Sequence, residues 1–228
     1  MKSSSIRRLS MSLVFASLYM LSACNLAGAS DAVVQLPDPV VDTPAKGLQT
    51  AVFSGGCFWG VQGVFQHIKG VISAPSGYSG GPADKADYES VSTGTTGHAE
   101  SVKVTYDPAQ VSFGKLLKIF MSVAHNPTEL NRQGPDTGTQ YRSVIFYTTE
   151  DQHKVAQAYF DQLKAAKSFP RPIVTQLVPL KAFYTAEAYH QDYATLHPDQ
   201  PYIAYNDLPK IANLKTYFPA VYRDGIKP

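Results

Sequence analysis

Cysteine is nearly absent from this chain, with only Cys24 and Cys57 among 228 residues. That excludes a disulfide-built scaffold and leaves a packed core as the source of stability. Tryptophan occurs once, as Trp59, two positions beyond Cys57. An excess of either charge is also missing, since Lys and Arg number 20 against 18 Asp and Glu. The small surplus lies in Lys2, Arg7 and Arg8, so the remainder is slightly acidic. Without a basic patch a nucleic-acid surface is excluded, because phosphate binding needs one. Six histidines are scattered without close pairing or cysteine partners, which is not the spacing of a zinc site. No apolar run reaches the roughly 20 residues that span a bilayer.

What is present begins with a targeting pattern. MKSSSIRR is a positive leader, LSMSLVFASLYML an apolar stretch of signal length, and Leu21-Ser22-Ala23-Cys24 runs small residues into a cysteine. The pattern resembles the lipobox of bacterial lipoproteins, with residues 1–23 removed and Cys24 lipidated. The alternative is a plain secretory signal cut near Ala23 or Ala29. Asn25 is not the aspartate associated with inner-membrane retention, so the expected location is the outer membrane, on the periplasmic side. Palmitate label incorporated into the chain, and lost on Cys24→Ala, is the expected result; label that persists in the variant overturns it. Residues 24–47 carry three prolines and no apolar period. They are expected to form a disordered tether.

The folded part opens with LQTAVF (48–53), a strand signal that ends at Gly55-Gly56. From Cys57 the period changes: Phe58, Val61, Phe65 and Ile68 recur every three or four residues, and Gly70 supplies a stop. Cys57 therefore falls in the first turn of a helix, where free N–H groups and the macrodipole favour an anion and a lowered thiol pKa. HAESVKVTY (98–106) alternates, placing Glu100 on one face with Val102, Val104 and Tyr106. A carboxyl among valines keeps its proton more readily and can serve as a general acid. Further signals are a helix capped by Ser112, a polar loop over 125–140 and a strand at 141–147. A capping box at Thr149 and Gln152 opens a helix to about 166. A strand at 173–180 and a helix over 186–196 capped by Thr185 follow. Residues 198–228 are expected to be coil wrapped on the surface. Strands and helices alternating in one domain argue for an α+β or α/β layer.

GCFWG (56–60), GYSGG (77–81), GHAE (97–100), NRQGPDTGTQYRS (131–143) and YHQDY (189–193) appear in this order. Together they resemble peptide methionine sulfoxide reductases of the A class, over residues 48–197. The resemblance implies a mixed sheet flanked by helices, related to the ferredoxin-like plan, and reduction of the S epimer of methionine sulfoxide. It implies Cys57 as the nucleophile on sulfur and Glu100 as the proton donor to oxygen. Tyr78 and Tyr141 would bind that oxygen, and Phe58 and Trp59 would cage the terminal methyl. Asp136 would hold the substrate, with His190 as support. Cys57 would be left as a sulfenic acid. No metal or bound cofactor is implied.

The chain departs from the family pattern in one respect. Many members carry further cysteines near the C-terminus that resolve the sulfenic acid, and residues 195–228 contain none. Recycling is then expected from an external thiol of thioredoxin, glutaredoxin or glutathione type. The expected partners are oxidised proteins or peptides, that thiol donor and a membrane reached through the lipid anchor, with the protein a monomer. Two other functions remain open on the residues alone. One is a Cys–His hydrolase or acyltransferase using His98 or His190 as base; the other is a peptide-binding lipoprotein without catalysis.

Overall fold

The computed structural model describes residues 33–225. The signal segment and Cys24 lie outside the described residues. The sheet grows from β1 (Gln49–Ser54), which pairs antiparallel with β4 (Ala99–Tyr106) on one side and β7 (Val144–Tyr147) on the other. Beyond β4 lie β2 (Val71–Ser73) and β3 (Ser76–Ser79), and β3 pairs with β9 (Tyr184–Thr185). Beyond β7 lies β8 (Gln176–Pro179), the one parallel partner. A separate small hairpin joins β5 (Arg132–Gln133) to β6 (Asp136–Thr137).

The helices are α1 (Phe58–Gln66), α2 (Tyr88–Ser92), α3 (Phe113–Ile119), α4 (Glu150–Ala165), α5 (Tyr193–Leu196) and α6 (Leu208–Tyr217). In the path β1–α1–β3–β4–α3–β7 the strands lie in the order β7-β1-β4-β3. That is the ferredoxin-like plan, extended by β8 and β9. The alternation in β1 divides the core. Ala51 and Phe53 face α1 and α3, whereas Val52 joins Ala99, Val144 and Phe146 on the other face beneath Val178, Leu180 and Phe183. On the helix face Phe53 stacks on Phe65 at 4.7 Å and meets Phe120 at 5.1 Å. Thr149 caps α4 by accepting the Gln152 N–H at 3.2 Å, and Ser112 caps α3.

Three expectations are corrected. Residues 33–47 have almost no regular structure, yet they pack along the domain. Leu36 is buried in the main core, the Tyr159 hydroxyl donates to the Pro37 carbonyl at 3.0 Å, and Gln162 bonds both Val40 and Asp38. Burying one leucine is worth about 2 kcal/mol, and the other contacts are hydrogen bonds and the ion pairs of Asp38 with Lys115 and Lys118, which leave no apolar period to read. The segment 198–228 is not coil throughout its described residues, 198–225. It contains a π-helical turn, Ile203–Asp207, followed by α6, whose Pro209 sits in the opening turn where a missing N–H costs nothing. The expected helix over 186–196 is broken at Asp192, which adopts φ +57° so that its N–H can reach Gln62 Oε1 at 2.9 Å. Thr185 pairs in β9 instead of capping.

Candidate active site

The turn into α1 places the thiol. Gly56 has φ +88°, a conformation that glycine adopts without strain. A Cβ on Gly55 would meet His125 Cγ at 2.7 Å, and one on Gly56 would meet Gln133 Cβ at 2.6 Å. The glycine pair therefore lets two other elements close on the nucleophile. Cys57 is the N-cap residue of α1 and is buried.

Glu100 faces it from β4. One carboxylate oxygen accepts the Phe58 N–H at 2.9 Å, which ties the acid to the residue next to the thiol. Glu100 is buried, and burial first, then the charges of Asp136 and Asp207, push its pKa up to about 8 against the pull of the Phe58 amide. It is therefore a protonated acid near neutrality, as its place among Val102 and Val104 predicts.

The thiol does not follow the sequence expectation of a lowered pKa. Burial, then the charges of Glu100 and Asp207, hold the Cys57 thiol well above the usual range. The Trp59 amide and Lys210 oppose this and are outweighed. The Cys57 side chain makes no capping hydrogen bond, and the Trp59 amide, at the start of this nine-residue helix, favours the anion too weakly to offset burial. Near neutral pH these effects keep Cys57 as a neutral thiol.

Aromatic rings surround the pair. Phe58 is buried and lies 5.0 Å from the His190 ring. Trp59 is half-buried, stacks on Tyr193 at 4.0 Å and donates through its indole N–H to His190 Nδ1 at 3.2 Å. Tyr202 meets Trp59 edge-on at 6.0 Å and donates its hydroxyl to Asp136 Oδ2. Asp136 is thus brought to the site by β6. Burial raises its pKa despite that bond. A cleft of about 890 Å³ is lined by Cys57 together with Asn126, Gln133, Asp136, Tyr202 and Lys210.

The two tyrosines expected to bind oxygen differ. Tyr141 is half-buried, its hydroxyl has no hydrogen-bond partner among the described residues, and its phenol pKa is raised by burial, then by Glu100, Asp136, Cys57 and Tyr88. Tyr78 pairs with Glu100 across β3 and β4, but its hydroxyl already donates to Glu187 Oε2 at 2.9 Å. It forms the wall behind Phe58, with ring centroids 5.8 Å apart. Tyr88 also has no hydroxyl hydrogen bond among the described residues and lies near Tyr141; it sits on the first turn of α2, held by its N–H to Glu187 Oε1 at 2.9 Å and by ring contact with His190 at 4.5 Å. Sequence reasoning missed it. Its only signal was the Asp87 N-cap that opens α2. The histidines proposed as bases are committed elsewhere. Both His98 ring nitrogens are held by backbone, from the Gly81 N–H and at the Pro82 carbonyl, and His190 Nδ1 accepts from Trp59. Among the described residues no group of three His, Cys, Asp or Glu could hold a metal ion.

A single thiol beside a protonated carboxyl and unpaired phenols, lined by aromatic rings, defines a cysteine-dependent enzyme that can protonate and displace an oxygen next to an apolar group. The sequence comparisons agree: the profile of the peptide methionine sulfoxide reductase family matches residues 49–221, and the chain belongs to that family. It is 63% identical over 180 residues to peptide methionine sulfoxide reductase MsrA 2 of Mesorhizobium japonicum, covering 79% of this chain and 92% of that one. With MsrA 2 of a Synechocystis strain it shares 51% over 188 residues, covering 80% and 88%. Among solved structures, methionine sulfoxide reductase A of Corynebacterium diphtheriae superposes with a TM-score of 0.57 at 33% identity, over 75% of this chain and 90% of that one. Reduced Mxr1 from Saccharomyces cerevisiae gives a TM-score of 0.60 at 31% identity, over 70% and 91%. The chain reduces methionine sulfoxide.

Proposed function

We propose that Cys57 attacks the sulfoxide sulfur while Glu100 protonates the oxygen, with Tyr141 and Tyr88 donating hydrogen bonds to it. Phe58 and Trp59 seat the methyl group, and Asp136 holds the substrate near the cleft. The observation that carries this reading is the hydrogen bond from the Phe58 N–H to Glu100, which places a proton-bearing acid beside the thiol.

The thiol first gives up its proton to solvent, and the thiolate forms the sulfur–sulfur bond as Glu100 passes its proton to the sulfoxide oxygen. The oxygen then transfers to Cys57, methionine leaves, and Glu100 is reprotonated. Methionine sulfur is reduced by two electrons and Cys57 is oxidised to a sulfenic acid. An external thiol then attacks the Cys57 sulfur and releases water, and a second thiol equivalent breaks the mixed disulfide. The absence of cysteine from residues 195–228 supports an external donor. One equivalent of a methionine-sulfoxide peptide, given without reductant, should yield one methionine per chain and a dimedone-trappable Cys57. A Cys57 found in an intrachain disulfide overturns the recycling scheme, and no methionine formed overturns the chemistry.

A further inference from the structure

Asp207 is a carboxylate with no part in the steps above. It is 0% exposed and closes the π-helical turn Ile203–Asp207, a backbone irregularity common at functional sites. Lys210 Nζ donates to its Oδ1 at 3.2 Å, and its Oδ2 is buried without a hydrogen-bond partner. The pair lies against the first turn of α1. A Cβ on Gly60 would collide with Asp207 Oδ1 and approach its Cγ at 2.7 Å and Lys210 Nζ at 2.9 Å. Gly60, the last residue of GCFWG, therefore leaves the space that this ion pair fills. A buried carboxylate on the opening turn of α1 also competes with a thiolate at Cys57 for the same helix field.

We propose that Asp207 and Lys210 are positioning residues that set the charge state of Cys57, the carboxylate keeping the resting thiol, and the sulfenic acid that follows, in the protonated form. The proposal rests on Cys57 being the nucleophile, although its test needs no sulfoxide. The other groups facing the sulfur are Glu100 from β4, Asp136 from β6, Tyr141 from the turn before β7, and Tyr202. Glu100, when ionised, acts on the sulfur more strongly than Asp207, but it is protonated near neutrality, and Asp136 is bonded by Tyr202; Asp207 and Lys210 act on the sulfur with opposite signs. Thiolates and sulfenates are the forms that peroxide oxidises further. No second cysteine among the described residues can rescue Cys57. A neutral sulfur protects such a site between turnovers.

The test is the rate of Cys57 carbamidomethylation by iodoacetamide between pH 6 and 10, read on the full chain by peptide mapping so that Cys24 is counted separately. Asp207→Asn removes a negative charge and leaves Lys210, so alkylation at pH 7.5 should speed up about tenfold, one unit of thiol pKa. Lys210→Met should slow it by a similar factor. Sulfinic acid formation under peroxide should follow the same order. A merely structural pair would move both variants in one direction. That outcome, or rates within twofold of the parent in both, overturns the proposal. If Asp207→Asn fails to fold by circular dichroism, Lys210→Met decides alone: slower alkylation sustains the proposal, and an unchanged or faster rate ends it.

Discussion

Glu100→Gln is expected to slow sulfoxide reduction by roughly 10²–10⁴-fold, the range for loss of a positioned general acid. Alkylation of Cys57 should persist at the parent rate or faster, because a negative charge that opposes the thiolate has gone. The pH profile separates this from simple damage. Thiol and carboxyl together hold two protons at low pH and none at high pH, and the chemistry needs one, on the carboxyl. In the parent, kcat/KM should rise as the first proton leaves, near the Glu100 value of about 8, and fall as the second leaves at higher pH. In the variant the falling limb should vanish. Parallel loss of activity and alkylation would make Glu100 a structural residue.

The same substitution should stabilise the fold. A carboxyl raised from 4.5 to about 8 contributes its full stability below pH 4.5, and that contribution is lost as pH rises toward 8. At pH 7 the loss is roughly 3 kcal/mol. Glutamine still accepts the Phe58 N–H and carries no charge. Urea unfolding at pH 7 should therefore show the variant more stable, and the gap should close near pH 4. Activity and stability are thus expected to move in opposite directions at one position.

Cys57→Ser is the second large effect. A buried hydroxyl does not ionise in this range, so turnover should fall at least about 10⁴-fold, the scale for removing a nucleophile. The cage from Phe58, Trp59 and Tyr202 is untouched, so a methionine-sulfoxide peptide should still bind within a few-fold of the parent by calorimetry. Retained turnover would transfer the chemistry to another group; lost binding would mean that the thiol shapes the pocket. A protein that only bound peptides would show no activity to lose in either chain.

Where sequence and structure agree, the signal is local and periodic. The change from LQTAVF to a helical period at Cys57 marks the β1–α1 turn, and alternation along β4 places Glu100 among Val102, Val104 and Tyr106 on the helix face. Where they diverge, the cause is tertiary. The ionisation of Cys57 is decided by burial, then by Glu100 and Asp207, both distant in sequence, and not by its helix position alone. Tyr78 lies in a recognisable motif, but whether its hydroxyl is free depends on Glu187 across the strand edge. Tyr88 belongs to none of the five motifs, and only the orientation of α2 brings it to the site. In α6, Leu208, Ile211 and Leu214 keep a helical spacing, but Pro209 and the surrounding tyrosines mask it. The strap at 33–47 is held through carbonyls, one leucine and the carboxylates of Asp38 and Asp42, which composition cannot distinguish from a free linker.

The π turn and α6 close over Cys57 from the far end of the chain. A chain emerges N-terminus first, from the ribosome or from a translocation pore, and synthesis runs at about 5–20 residues per second. Residue 57 therefore emerges on the order of ten seconds before residue 207. During that interval the sulfur has met its glycine turn and not the lid that carries Tyr202, Asp207 and Lys210. The nascent polypeptide passes through a stage in which its one indispensable atom is built but unguarded, and the last helix to be made completes its protection.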